Sequence, residues 1–324
     1  LKMRVLWQQD CNLELLREKH IGVIGYGNQG KAQALNLRDS GLEVRVGLRA
    51  SSATMAKVEA DGLKPMELSA LCHWADILLV LIPDEDIPQL FSSHLEHLAS
   101  GKIFGFAHGF CLHYRAITLN PGQGAFLVAP KGPGIAVRKR YLEGKGIPCL
   151  VAVTHDNLWD LAFAYGAAIG GGQGGLLKTT FKEETECDLF GEQAVLCGGL
   201  PRLIQASFDT LVGAGFSPEM AYFECLHETK LIADLLYREG IAGMKERISN
   251  TAEYGSYVAD VFDENLHQRL RDILSRIQNG SFAQSFLQNR ELVFSKARAK
   301  EREHPIESIG REVREVFGFN KETL

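Results

Sequence analysis

The chain has no run of 18 apolar residues, which excludes a membrane-spanning helix. Its first residues, Leu1-Lys-Met-Arg-Val-Leu-Trp7, lack the long apolar region of a secretory signal, so no membrane partner and a cytoplasmic place are expected. Positive charge is short as well. Lys and Arg number 35 against 40 Asp and Glu, a net charge of −5, which argues against nucleic acid as the main partner. The seven cysteines are odd in number and never fall in Cys-x-x-Cys spacing, excluding a disulfide framework or a zinc site and leaving reduced core thiols. No internal repeat or low-complexity tract is present. What remains is a chain of 324 residues, 45% hydrophobic and 23% charged, able to bury a large core and to form about two domains.

Short apolar runs recur at 21–24, 44–48, 77–82, 103–107, 126–129 and 150–153, with helical patterns at 29–39, 54–60 and 66–75 between them. This alternation predicts an α/β domain, a Rossmann-type doubly wound parallel sheet whose unalternating strands are covered on both faces. Ligands of such sheets sit at the carboxyl ends of strands. The loops there contain 25–30, 49–54, 83–86, 108–110 and 130–134. The glycine cluster 170–175 suits a bend or hinge, and from Thr185 the apolar spacing turns helical. Helices are expected over 189–200, 201–213, 218–238, 240–250, 254–262, 264–278 and 282–301, with the charged stretch 296–304 at the surface. Residues 1–181 are therefore read as a dinucleotide-binding domain and 182–324 as an all-helical one.

After the first strand stands Gly25-Tyr26-Gly27-Asn28-Gln29-Gly30, a G-x-G-x-x-G between a strand and a helix. The glycines allow a tight turn and close approach to a pyrophosphate at a helix N-terminus. Where the second strand ends, an NAD enzyme usually carries Asp or Glu for the ribose hydroxyls. Here Arg49 stands instead, followed by Ser51, Ser52 and Thr54, a charge and hydroxyls suited to a 2′-phosphate. NADP is favoured; NADH use stays open, and Arg49 as a solvated loop residue is the plainer alternative.

Two acidic pairs fall at helical spacing, Asp188 with Glu192 and Glu224 with Glu228. Like charges four apart destabilise an isolated helix by roughly 0.2–0.5 kcal/mol, and a dication reverses that sign. Oxygen ligands without a Cys or His cluster suit Mg²⁺. A solvated acidic face is the alternative. Apolar neighbours such as Leu189, Phe190, Tyr222 and Phe223 suggest half-buried helices, in which unpaired carboxylates are costly. Glu183, Glu184 and Glu186 are read as solvent-facing and left out of the metal set.

The motifs 25–30, 81–85, 107–110, 129–134, 188–193, 224–230 and 248–255, in this order, resemble those of the ketol-acid reductoisomerases (acetohydroxyacid isomeroreductases), in their short form. The resemblance covers nearly the whole chain. It implies two Mg²⁺ per site, Asp188 bridging both, Glu192 binding one, and Glu224 and Glu228 of a neighbouring subunit completing the second, in a homodimer or a higher assembly of dimers. Ser249 and Glu228 are implied at the substrate, His108, Lys131 and Glu228 at the reacting centre, and Asp84, Glu85 and Gly134 beside the coenzyme. The implied reaction takes a 2-hydroxy-3-keto acid such as 2-acetolactate or 2-aceto-2-hydroxybutyrate through alkyl migration and NADPH reduction, in branched-chain amino acid biosynthesis. Migration needs an alkoxide beside a polarised carbonyl, which two dications supply. The resemblance further implies a knotted helical domain, an exception to the rule that chains do not thread loops. Asn28, Lys31 and Ile135 depart from residues common in the family, without touching a metal ligand. Other readings are a 6-phosphogluconate-like or 3-hydroxyacid dehydrogenase, which works without a carboxylate metal site, and a non-enzymatic NADP sensor. Lys131 and Ser249 also have plain alternatives, as a solvated lysine and a helix cap.

Overall fold

The structure, a computed structural model, describes residues 4–95, 98 and 101–318. The chain divides between Cys187 and Asp188 into two compact units.

The first unit is built on nine strands: β1 (Val5–Leu6), β2 (Ile21–Ile24), β3 (Val44–Leu48), β4 (Lys64–Glu67), β5 (Ile77–Val80), β6 (Ile103–Phe106), β7 (Gly124–Pro130), β8 (Cys149–Val153) and β9 (Leu176–Lys178). Their order is β1-β9-β8-β7-β6-β5-β2-β3-β4. From β4 to β7 every pairing is parallel, whereas β7–β8 and β1–β9 are antiparallel. The parallel expectation therefore holds for the nucleotide half of a mixed sheet. All residues of β2 and β5 are buried, as strands covered on both faces require. The order reverses at β2, flanked by β3 and β5, so the crevice of this sheet opens there. Three short strands carry no signal in periodicity: β1 has two residues, β9 three, and β4 includes Pro65.

The glycine cluster 170–175 is not a hinge. It forms the short helix Gly171–Gly174 between Gly170 and Gly175, both at positive φ, and then enters β9. A side chain at Gly171 would meet Cys149 Sγ, and one at Gly174 the backbone of Ile147. The glycines thus allow close packing inside the unit.

Helices of the second unit are Gly199–Gly213, Pro218–Tyr222, Glu228–Arg247, Asn250–Val258, Asn265–Gln278, Ser281–Glu303 and Pro305–Phe317. Pro201 does not start one, because it falls in the first turn of Gly199–Gly213, where its missing N–H costs nothing. Gly240, at φ 74°, breaks the regular path within Glu228–Arg247. The last helix lay beyond the expected ones. It buries Ile306 and Val313 against Phe208, Ala221 and Tyr222, which form a small core. Large apolar side chains elsewhere in this unit, including Leu231, Ile241, Tyr254, Val258 and Phe262, are exposed.

All seven cysteines are free, but only Cys72, Cys111 and Cys149 are buried; Cys187 and Cys197 lie at the surface, so the core-thiol reading holds for part of the set. Among the described residues no helix is long and apolar enough to cross a membrane.

Candidate active site

At the nucleotide end, the glycine loop joins β2 to helix Asn28–Asp39. Gly25 has φ 97°, and a side chain there would strike the backbone of Leu81 after β5, so only glycine fits. The helix starts at Gly27 with no side-chain cap, leaving backbone N–H groups for an anion. A second helix, Gly134–Leu142, also begins without a side-chain cap. Gln29 Nε2 donates to Gly132 O at 3.1 Å, and Gly134 packs on the backbone of Asn28. Further along, Arg138 reaches Asn36 Oδ1 at 2.8 Å and Asp39 Oδ2 at 2.6 Å. Two helix N-termini are thereby held side by side, which concentrates positive partial charge at the crevice.

After β3, Arg49 is exposed, while Ser52 Oγ accepts from Thr54 N at 3.3 Å at the start of helix Thr54–Ala60. Asp84 and Glu85 form a helical turn after β5, where Cys111 Sγ donates to Asp84 O at 3.3 Å. Lys31, the departure noted beside the loop, pairs with Asp61 at 2.7 Å, and Tyr26 donates to the same carboxylate at 2.9 Å. That pair ties the glycine loop to the end of the neighbouring helix.

The loops after β6 and β7 carry His108 and Lys131, and both converge on Glu184. Its Oε1 lies 2.9 Å from Lys131 Nζ, its Oε2 3.2 Å from His108 Nδ1, and Gly109 N donates to it at 3.3 Å. Glu184 is only 1% exposed. Burial opposes its charge, but the hydrogen bonds and charges of His108 and Lys131 outweigh that and hold its carboxyl below the ordinary value. The solvent-facing reading is therefore wrong for Glu184 and for Glu186, which is buried as well; Glu183 is exposed as expected. The miss has a physical cause. The chain turns helix Phe181–Gly191 against the strand-end loops, and acidic residues in a charged stretch read as solvated unless their partners, 53 and 76 residues away, are seen. One signal was present: Glu184, Asp188 and Glu192 continue the same four-residue spacing.

Thr180 starts this helix, its Oγ1 accepting from Glu183 N at 3.0 Å, and Thr179 Oγ1 donates to the Glu183 carboxylate at 2.9 Å, two bonds that fix the first turn. One turn beyond Glu184 on the same helix stands Asp188. Among the described residues, His108, Glu184 and Asp188 each offer a ligand atom, all within 4.8 Å of one another. Hard carboxylate oxygens dominate this group, a donor set that fits Mg²⁺ better than a thiophilic metal.

Glu192 opens a five-residue π turn, Glu192–Leu196, and Glu224 lies in another, Phe223–His227, with Glu228 next. Asp188 and Glu192 keep the regular α spacing, because the wide turn starts only at Glu192, whereas a wide turn separates Glu224 from Glu228 and alters theirs. Wide turns of this kind redirect side chains and are frequent at functional sites. Glu192, Glu224 and Glu228 are exposed, and so are Val195 and Leu196, whereas Leu189, Ala221 and Tyr222 are buried and Phe190, Phe223 and Leu226 half-buried; the expected half-buried helix faces are present, but they leave these carboxylates in the open. Ser249 caps helix Asn250–Val258, accepting from Ala252 N at 3.2 Å.

Residues 15–175 match the sequence family described as "Acetohydroxy acid isomeroreductase, NADPH-binding domain", and residues 181–319 match "Ketol-acid reductoisomerase, C-terminal domain". The structure is similar to that of an NADH-preferring ketol-acid reductoisomerase from an uncultured archean, with 39% identity, a TM-score of 0.91, and coverage of 97% of this chain and 99% of that one. At 17% identity and TM-score 0.61, it shares a fold with a semialdehyde dehydrogenase NAD-binding protein from Cupriavidus necator, over 81% and 99% of the two chains. A pyrroline carboxylate reductase from Plasmodium falciparum is similar at 14% identity and TM-score 0.51, over 82% and 98%. The chain belongs to the ketol-acid reductoisomerases, enzymes that join an isomerase step to a nicotinamide-dependent reduction.

Proposed function

We propose that the site at the ends of β6 and β7 carries out Mg²⁺-dependent alkyl migration in 2-acetolactate or 2-aceto-2-hydroxybutyrate and reduction of the product by NADPH, with NADH as a second donor. The observation that supports this most is Glu184, buried between His108 and Lys131 and one turn from Asp188. Asp188 and Glu192 of one copy, with Glu224 and Glu228 of a second, would hold two Mg²⁺. Bound there, the ions supply Lewis acidity toward the substrate oxygens, and the nicotinamide supplies hydride. The chain's own part is positional. Glu184 fixes the Lys131 ammonium and the His108 imidazole, which can hold charge and protons at the reacting oxygens. Ser249 Oγ accepts from Ala252 N, and its own O–H stays available to donate to a substrate carboxylate at this helix N-terminus. Arg49, Ser52 and Thr54 would bind the 2′-phosphate, while Gly25 to Gly30, Gly134, Asp84 and Glu85 line the rest of the coenzyme.

The exposed apolar residues of the second unit support a homodimer, since faces of this kind are normally covered. Higher assembly, the family's knotted path and a cytoplasmic place belong to the same reading. NADPH and NADH oxidation with 2-acetolactate, with and without Mg²⁺, tests it. Turnover that needs Mg²⁺ and favours NADPH is expected; turnover undiminished by a chelator would refute the metal site.

A further inference from the structure

Helix Phe181–Gly191 buries a second carboxylate that none of these roles uses. Glu186 is 7% exposed, and its Oε1 lies 3.3 Å from Nε2 of His113, at the end of the short helix Phe110–His113 that follows the His108 loop. Tyr114 packs against the His113 ring at 4.6 Å and against Phe110 at 5.0 Å, which restricts the imidazole. Residues two apart on a helix point roughly 200° away from each other. Glu184 and Glu186 therefore grip the same strand-end segment from different sides of one turn, the first through Gly109 N and His108, the second through His113. Between them, Gly109 approaches Thr185 so closely that a side chain at 109 would collide with its hydroxyl. A helix held at one point can still rotate about its axis; held on two sides it cannot. A rotation of about 20° would carry a carboxylate about 5 Å from the axis through about 2 Å, far outside what the near-ideal geometry of Mg²⁺ tolerates.

We propose that His113 is a positioning residue, whose contact with Glu186 sets the rotation of helix Phe181–Gly191 and so the place of Asp188, without touching substrate, coenzyme or metal. The proposal rests on Asp188 as a metal ligand. Full-length H113A, H113Q, E186Q and D188N are compared by Mn²⁺ binding from electron paramagnetic resonance of the free ion, by NADPH fluorescence titration and by Tm. H113A should weaken Mn²⁺ binding about 10-fold or more with NADPH affinity unchanged, and H113Q, which keeps a donor, should recover part of it. If H113A folds poorly, E186Q, of unchanged shape, carries the test with a smaller loss confined to Mn²⁺. Unchanged Mn²⁺ affinity in these variants, or equal loss of Mn²⁺ and NADPH affinity, overturns the positioning role. D188N separates the two ideas: should it bind Mn²⁺ normally, the metal reading falls and the proposal with it, whereas loss in D188N alone removes only His113.

Discussion

The two units meet the hydrophobic requirement in opposite ways. In the first, strands such as β2 and β5 are wholly buried, and Phe126, Val128 and Tyr165 join them in one continuous core. In the second, a handful of side chains around Phe208 and Tyr222 is enclosed, while Tyr237 is 91% and Ile241 73% exposed. A sheet sandwiched by its own crossover helices completes its burial within one chain. A set of helices with apolar faces turned outward does not, and contiguous exposed apolar surface marks a place for a partner. The difference sets the units apart: the first completes its burial by its own packing, and the second carries the exposed apolar residues on which the proposed second copy would pack.

The largest expected effect breaks the self-sufficient side. Phe126→Ala in β7 empties a fully buried site and should cost about 3–5 kcal/mol, read as a fall in Tm at any protein concentration. A loss well under 1 kcal/mol would contradict the account of the core. Next, Ile241→Asp should lower Tm and shift sedimentation toward the monomer, whereas Leu142→Asp, exposed in the first unit, should stay within about 0.5 kcal/mol of the parent. Equal effects would erase the contrast between the units. The smallest effect concerns coenzyme choice alone. Arg49→Ala should raise KM for NADPH about 10-fold, as loss of a charge-assisted phosphate contact implies, with little change for NADH or for assembly. Equal changes for both coenzymes would remove Arg49 from the 2′-phosphate site.

Much of this was legible in residue order. The strand 44–48 and the helix 54–60 fall where periodicity puts them, and the glycine loop lies between a strand and a helix as its motif requires. These features depend on local pattern, which the chain states directly. Glu184 and Glu186 were misread because burial is a tertiary property: the same acidic stretch is a solvated face or a buried hinge of contacts depending on what packs on it. The π turns at Glu192 and Glu224 were invisible to an argument that assumed regular spacing, since one extra residue per turn leaves composition unchanged. The run 150–153 was read as a strand and is one, β8, but its antiparallel pairing with β7 was missed, because apolar runs carry no direction.

The claim that two copies share each site has a direct test. D188N and E224Q are each expected to be inactive alone, one lacking the first acidic pair and the other the second. Co-expressed and purified together, they should recover about a quarter of the parent's turnover, because half of the randomly paired dimers then hold one intact site in two. Recovery of that size is the predicted result; no activity in mixed dimers, shown by differential tagging to have formed, would contradict a site built from both chains.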